Sequence, residues 1–158
     1  GHSERRREFG ETDELVNLKV QKALDLNLRP ILCVGELLEQ RQQGREYAVV
    51  SSSLNACLAG IVSPEGLVVA YEPVWAIGTG ATATTEEIQV MATLIRHLLS
   101  RQFGEMASSV QVIYGGSVTP ANIQEIVAIP EVQGALVGAS SLKLDEFLEI
   151  VRLVRELK

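Results

Sequence analysis

The sequence predicts an α/β fold in which four parallel strands alternate with helices. Three observations carry this: four short apolar runs bounded by glycines, long amphipathic stretches between them, and no Gly-x-Gly-x-x-Gly fingerprint after the first run. Runs that are apolar at every position, rather than at alternate ones, belong in a parallel sheet covered on both faces. Strand–helix units in series build either an open doubly wound sheet or part of a closed barrel. The missing fingerprint removes the simplest dinucleotide-binding case, and Gly78-Thr79-Gly80 is too short a match to restore it, so the barrel is favoured.

The elements follow in order. A helical stretch at 13–26 leads to the first strand, Arg29-Pro30-Ile31-Leu32-Cys33-Val34-Gly35. A helix over 36–59 follows, then the Pro64-Glu65-Gly66 turn and the strand Leu67-Val68-Val69-Ala70-Tyr71. The next helix, 85–103, opens on Thr85-Glu86-Glu87, a capping residue with acids that suit the positive end of a helix dipole. Ile88, Met91, Leu94, Ile95 and Leu98 give that helix one apolar face. The third strand is Val110-Gln111-Val112-Ile113-Tyr114, closed by Gly115-Gly116. Thr119-Pro120 opens a helix over 120–129, proline being tolerated in a first turn. Ala135-Leu136-Val137, closed by Gly138, is the fourth strand, and 144–157 the last helix.

Composition narrows the class. At 158 residues, 46% hydrophobic and 22% charged, the chain has the balance of one ordinary domain with a sizeable core. No apolar run approaches the roughly 20 residues of a membrane span, and the charged start Gly1-His2-Ser3-Glu4-Arg5-Arg6-Arg7 leads into no apolar stretch of a signal peptide. The expected location is the cytoplasm, with no membrane partner. A net charge of −6 argues against nucleic-acid binding, and Arg5 to Arg7, answered by Glu4, Glu8 and Glu11, read as a solvated charged turn. Cys33 and Cys57 lack metal-ligand spacing and read as reduced thiols.

In a barrel, chemistry sits on the loops after the carboxyl ends of the strands. After the second strand comes Glu72-Pro73-Val74-Trp75-Ala76-Ile77-Gly78-Thr79-Gly80-Ala81-Thr82-Ala83, a carboxylate, a stiff start and a small, glycine-containing segment. Glu72 is either a general base under a closing lid, where excluding water raises its pKa, or a salt-bridged glutamate at a loop mouth. Tyr114-Gly115-Gly116-Ser117 and Val137-Gly138-Ala139-Ser140 end strands in small residues, which lets backbone N–H groups approach an anion. Each alone is also explained by a tight turn; together they point to phosphate. His2 stands where the positive end of a helix dipole would keep an imidazole neutral and able to donate a proton, or it is an ordinary surface histidine.

Gly1-His2-Ser3-Glu4-Arg5-Arg6, Cys33-Val34-Gly35-Glu36, Ala70 through Gly80 and Tyr114-Gly115-Gly116-Ser117-Val118, in this order, resemble the triosephosphate isomerase family over nearly the whole chain. The resemblance implies the C-terminal half of a (β/α)8 barrel, starting at the loop after the fourth strand. It implies interconversion of dihydroxyacetone phosphate and D-glyceraldehyde 3-phosphate through an enediolate, with no cofactor and no metal. By resemblance Glu72 is the catalytic base, His2 the neutral electrophile and Glu4 a supporting acid. Gly78, Ser117, Gly138 and Ala139 match the phosphate-binding positions. Pro73, Val74 and Trp75 begin the lid; Tyr114 and Ser117 match its closed latch, Glu36 the partner of Trp75 when it is open, and Ser3 the group that holds Glu72 in the unliganded state. Cys33 matches a structural position near the base.

Two positions depart from the family pattern: Ala81 replaces a hinge lysine, and Ala139 a second glycine of the phosphate loop. A lysine is also expected on the first strand's loop, and Lys19, Lys22, Lys143 and Lys158 do not occupy that context. With the front of the barrel lacking, the sequence predicts weak or no turnover by the chain alone. Its expected partners are a triose phosphate and either a second copy or a complementary N-terminal half, because cut strands leave unpaired edges and an exposed apolar face. The rival reading is a self-assembling half-barrel without useful catalysis. Another phosphate-binding barrel enzyme would share the two glycine loops but not the glutamate-led lid paired with His2-Ser3-Glu4.

Overall fold

Among the residues described by a computed structural model, 1–78 and 81–157, four strands lie side by side in chain order as one parallel sheet. They are Ile31–Val34 (β1), Val68–Tyr71 (β2), Gln111–Tyr114 (β3) and Gly134–Ala135 (β4). The helices are Ser3–Phe9 (α1), Asp13–Asp25 (α2), Leu38–Gln42 (α3), Glu46–Cys57 (α4), Thr85–Phe103 (α5), Ile123–Val127 (α6) and Leu144–Arg155 (α7). Thr79 and Gly80 of the loop after β2, and the terminal Lys158, lie outside the described residues.

The register assigns the two faces of the sheet. Leu32, Val69 and Val112 stand in one row and Val34, Tyr71 and Tyr114 in another, and all six belong to the apolar core shared with the helices. Because side chains alternate along a strand, Cys33, Ala70 and Ile113 point to the opposite face. Glu72 continues the Ala70 row, so the helix-covered core and the carboxylate lie on opposite sides of β2.

α5 supplies much of that core. Its cap is Thr84, one residue before the expected Thr85, because Thr84 and Glu87 three residues on form a reciprocal capping box, and Ile88, Met91, Ile95, Leu98 and Leu99 bury one face. Ile95 and Leu99 are fully buried, contributions of about 1.5–3 kcal/mol each. Thr12 caps α2, whose Val16 and Val20 pack inward. α7 buries Ile150 but leaves Leu144, Phe147, Leu148 and Val151 exposed.

The structure departs from the sequence expectation at four further places. The helix expected over 36–59 is two helices, because Gly44 adopts φ +65 between α3 and α4. The helix expected from 120 starts at Ile123, since the Asn122 side chain takes the Thr119 N–H at 2.8 Å and donates to the Ser117 carbonyl at 2.9 Å, turning the backbone before the helix. β4 is shorter than 135–137, although the Leu136 N–H still donates to the Tyr114 carbonyl at 2.8 Å. Arg5 to Arg7 are not a solvated turn but part of α1. Arg6 donates to the Gly1 carbonyl and to Asp13 at 2.7 and 2.6 Å, and also to the Cys33 carbonyl, tying α1 to α2 and β1.

Candidate active site

Glu72 is the first residue beyond β2, and its carboxylate is 2% exposed. The Val34–Tyr71–Tyr114 row places Gly35 and Gly115 on either side of it. Its N–H donates to the Val34 carbonyl at 2.8 Å, and the Gly115 N–H donates to the Tyr71 carbonyl at 2.8 Å. Both glycines are required by space. A β-carbon on Gly35 would collide with the Glu72 carbonyl oxygen, and one on Gly115 would lie 2.9 Å from Glu72 Cγ.

The second part of the cluster comes from the start of the chain. His2 is the N-cap of α1, and its Nδ1 accepts the Glu4 N–H at 3.2 Å. With Nδ1 engaged as acceptor, a neutral imidazole carries its proton on Nε2. That Nε2 lies 3.1 Å from Glu72 Oε1. The Ser3 backbone N–H donates to Oε2 at 3.2 Å, so Ser3 holds the carboxylate through its main chain. Oε1 is buried and accepts no aligned hydrogen bond among the described residues, which leaves lone pairs for an incoming proton.

Burial pushes the Glu72 carboxyl above its ordinary value, against the pull of His2, the Ser3 N–H and the Cys33 thiol. Cys33, buried beside it, is pushed up by burial and then by the Glu72 charge. Cys33 and Cys57 are both free thiols. Glu4 is exposed and meets the ring only through its backbone N–H.

The loop leaving Glu72 begins with Pro73 and a short 3-10 turn, Val74–Ala76. The Trp75 indole N–H donates to Glu36 Oε1 at 2.9 Å, the Tyr71 hydroxyl donates to the same carboxylate at 3.1 Å, and the Val74 N–H donates to the Glu36 carbonyl at 3.1 Å. Glu36 is fully buried and Arg41 donates to it at 3.1 Å. Farther along, Gly78 is exposed at φ +66. The Tyr114 hydroxyl is buried under the end of the loop; burial pushes it up to about 12, opposed by the Ala83 backbone.

Ser117 is half-buried after β3, while Gly138 and Ala139 are exposed after β4, where a 3-10 turn runs over Ala139–Leu142. The Gly138 carbonyl accepts from both the backbone and hydroxyl of Ser141, at 2.8 and 2.7 Å. The structure thus brings His2, Ser3 and Glu72 into one cluster and Trp75 and Glu36 into a second. It leaves Gly78, Ser117, Gly138 and Ala139 on three successive strand-end loops. Sequence reasoning missed Tyr71 and Arg41 as partners of Glu36, and the steric role of Gly35 and Gly115. Tyr71 reads simply as a core aromatic, and nothing in the spacing of Arg41 marks it.

Consecutive parallel strand–helix units, with Glu72 and the glycine loops at the carboxyl ends of the strands, define part of a (β/α)8 barrel. The family model described as "Triosephosphate isomerase" matches residues 1–154. The chain belongs to the triosephosphate isomerase family. It is 52% identical over 155 residues to the triosephosphate isomerase of Carboxydothermus hydrogenoformans, covering 96% of this chain and 62% of that protein. It is 49% identical over 156 residues to that of Thermus thermophilus, covering 97% and 62%. The crystal structure of the Bartonella henselae enzyme superposes with a TM-score of 0.89 at 37% identity, covering 98% of this chain and 63% of that one. The chain thus spans about 62% of the length of these curated relatives.

Proposed function

We propose that this chain carries the proton-transfer half of a triosephosphate isomerase site, interconverting dihydroxyacetone phosphate and D-glyceraldehyde 3-phosphate in glycolysis and gluconeogenesis in the cytoplasm. Glu72 takes the proton from one substrate carbon and returns it to the next. His2 donates a hydrogen bond from Nε2 to the substrate oxygens and stabilises the enediolate. Triosephosphate isomerase is itself a standard instance of a glutamate base set against a neutral histidine. The observation that supports this reading most directly is the meeting of His2 Nε2 with a buried Glu72 oxygen at 3.1 Å, while Nδ1 is occupied by the Glu4 N–H.

The strand-end loops supply the rest. Backbone N–H groups at Gly78, Ser117, Gly138 and Ala139 hold the substrate phosphate, and Glu4 supports the histidine. Pro73, Val74 and Trp75 lead a lid that closes over the enediolate, because water there favours loss of phosphate. The Trp75 hydrogen bond to Glu36 supports reading this contact as the one made when the lid is open, with Tyr114 and Ser117 latching it when it closes.

Residues 1–158 do not include the charge-offsetting lysine of the family's first-strand loop, so this stretch on its own is read as turning over substrate weakly or not at all, and as active where the rest of the pocket is supplied by the same polypeptide, a complementary N-terminal half or another copy. A coupled isomerase assay tests this, with the chain alone and mixed with the N-terminal part of a relative, and solution mass recorded for both. Turnover that appears on mixing supports the reading. No turnover in either case, from a stable oligomer of the chain alone, favours a self-assembling half-barrel without catalysis. That outcome is motivated by edge strands β1 and β4 and by Ile31, 46% exposed on β1.

A further inference from the structure

We infer that Arg41 is a positioning residue that ties both ends of the Glu72–Ala83 loop to one buried carboxylate, an inference that rests on the isomerase reading for its importance to turnover but not for its test. Arg41 lies on the short helix α3, outside every motif that marks the site. Its side chain is 19% exposed and, among the described residues, pairs with two carboxylates and lies over an indole ring. One guanidinium nitrogen donates to Glu36 Oε1 at 3.1 Å, the oxygen that also receives the Trp75 indole N–H. The other pairs with Glu87 Oε1 at 2.8 Å. The guanidinium carbon sits 5.3 Å from the centre of the Trp75 ring.

These contacts join two places that the loop separates. Trp75 is at its start; Glu87 is in the first turn of α5, immediately after its end. Glu87 also accepts the Thr84 N–H at 2.8 Å through Oε2, completing the box that starts α5. The carboxylate of Glu87 therefore faces the helix cap with one oxygen and Arg41 with the other. Only a planar fork with several donors can meet Glu36 and Glu87 together while lying against an indole; lysine has a single point charge and no plane to stack. Arg41 stabilises the seated position of Trp75 directly, and it places the α5 start relative to Glu36. Release of Trp75 from Glu36 then costs the ring contact as well as the hydrogen bond.

Trp75 is the single tryptophan of the chain, so its emission reports this cluster without interference from another indole. The test compares emission and acrylamide quenching of the whole chain with Arg41→Met, Arg41→Lys and Glu87→Gln, with circular dichroism checking that each is folded. Gln at position 87 keeps the ability to cap Thr84 and loses only the ionic arm to Arg41. Arg41→Met is expected to shift emission to longer wavelength and to lower the seated-to-released ratio by about two- to fivefold, the worth of a partly exposed cation–π contact. Arg41→Lys restores part of that shift. Glu87→Gln moves emission in the same direction by less, although Glu87 does not touch the ring.

Unchanged emission and quenching in a folded Arg41→Met chain would overturn the inference. If Arg41→Met does not fold, Glu87→Gln decides: a Trp75 signal identical to the parent's sinks the coupling between the two loop ends. Because no substrate is used, a chain without isomerase activity still gives an answer, and failure of the proposed function is distinguishable from failure of this one.

Discussion

His2 Nε2 stands 3.1 Å from Glu72 Oε1, and the ring is held there by its own helix, through the Glu4 N–H on Nδ1. One group is a buried carboxylate and the other an imidazole whose Nδ1 is already engaged, leaving Nε2 to face it. Neither works this way in isolation. The carboxyl owes its raised affinity for a proton to burial, and the ring owes its orientation to the N-cap position.

That burial has a stability consequence with a definite sign. Glu72 has its folded value raised above the ordinary 4.5, so the folded chain binds more proton at this site than the unfolded chain does. Its stabilising contribution is fully present below the unfolded value and is lost as pH rises through the folded one. Glu72→Gln cannot ionise and escapes that loss. Thermal midpoints of the two chains, measured from below to well above pH 4.5, are expected to shift in favour of Glu72→Gln as pH rises and then hold a constant offset. Parallel curves throughout would contradict the raised carboxyl. In the completed enzyme the same substitution should lower turnover by about 10²–10⁴-fold, the usual worth of a positioned base.

Gly115 is predicted to be intolerant for a local reason. A β-carbon there lies 2.9 Å from Glu72 Cγ, and one on the neighbouring-strand residue Gly134 meets only Ile113 Cγ2 at 3.5 Å. Gly115→Ala should displace the carboxylate and cost about 10²-fold in turnover of the completed enzyme, since that is the scale of a misplacement near 1 Å. Gly134→Ala should leave turnover near the parent value. Equal rates for both variants would show that Glu72 is not crowded at Gly115.

Ile95 is fully buried in the middle of α5 within the helix-side core. Ile95→Ala removes three carbon atoms' worth of packing from a site with no solvent access, and denaturant unfolding should show a loss of about 2–5 kcal/mol. Val62, 83% exposed, is the control, where Val62→Ala should change stability by no more than about 0.5 kcal/mol. Similar effects at both positions would mean that α5 does not pack as described.

Much of this molecule is legible from residue order. The apolar runs bounded by glycine mark β1, β2 and β3, and 85–103 announces α5 through its apolar spacing, although the cap is Thr84 rather than Thr85. Glu72 and the two glycine loops stand out as candidates because barrel chemistry gathers at strand ends, whereas His2 is singled out by the family resemblance rather than by its spacing. Two helix boundaries that differ from the expectation share a cause. Gly44 and Asn122 each turn the backbone inside what looks like a continuous helical pattern, and local hydrogen bonding decides such points over periodicity.

The sequence by itself determined the order of strands and helices, the family, and which side chains are candidates for a site, because those follow from periodicity and from motifs contiguous along the chain. Only the tertiary structure decided that His2 meets Glu72, that Ser3 acts through its backbone, that Gly35 and Gly115 leave room for the carboxylate, and that Arg41 joins Glu36 to Glu87. The reason is geometric. Those relationships depend on the parallel register of β1, β2 and β3 and on distances of a few ångströms between residues far apart in the chain, and side-chain spacing along one strand or helix carries no information about either.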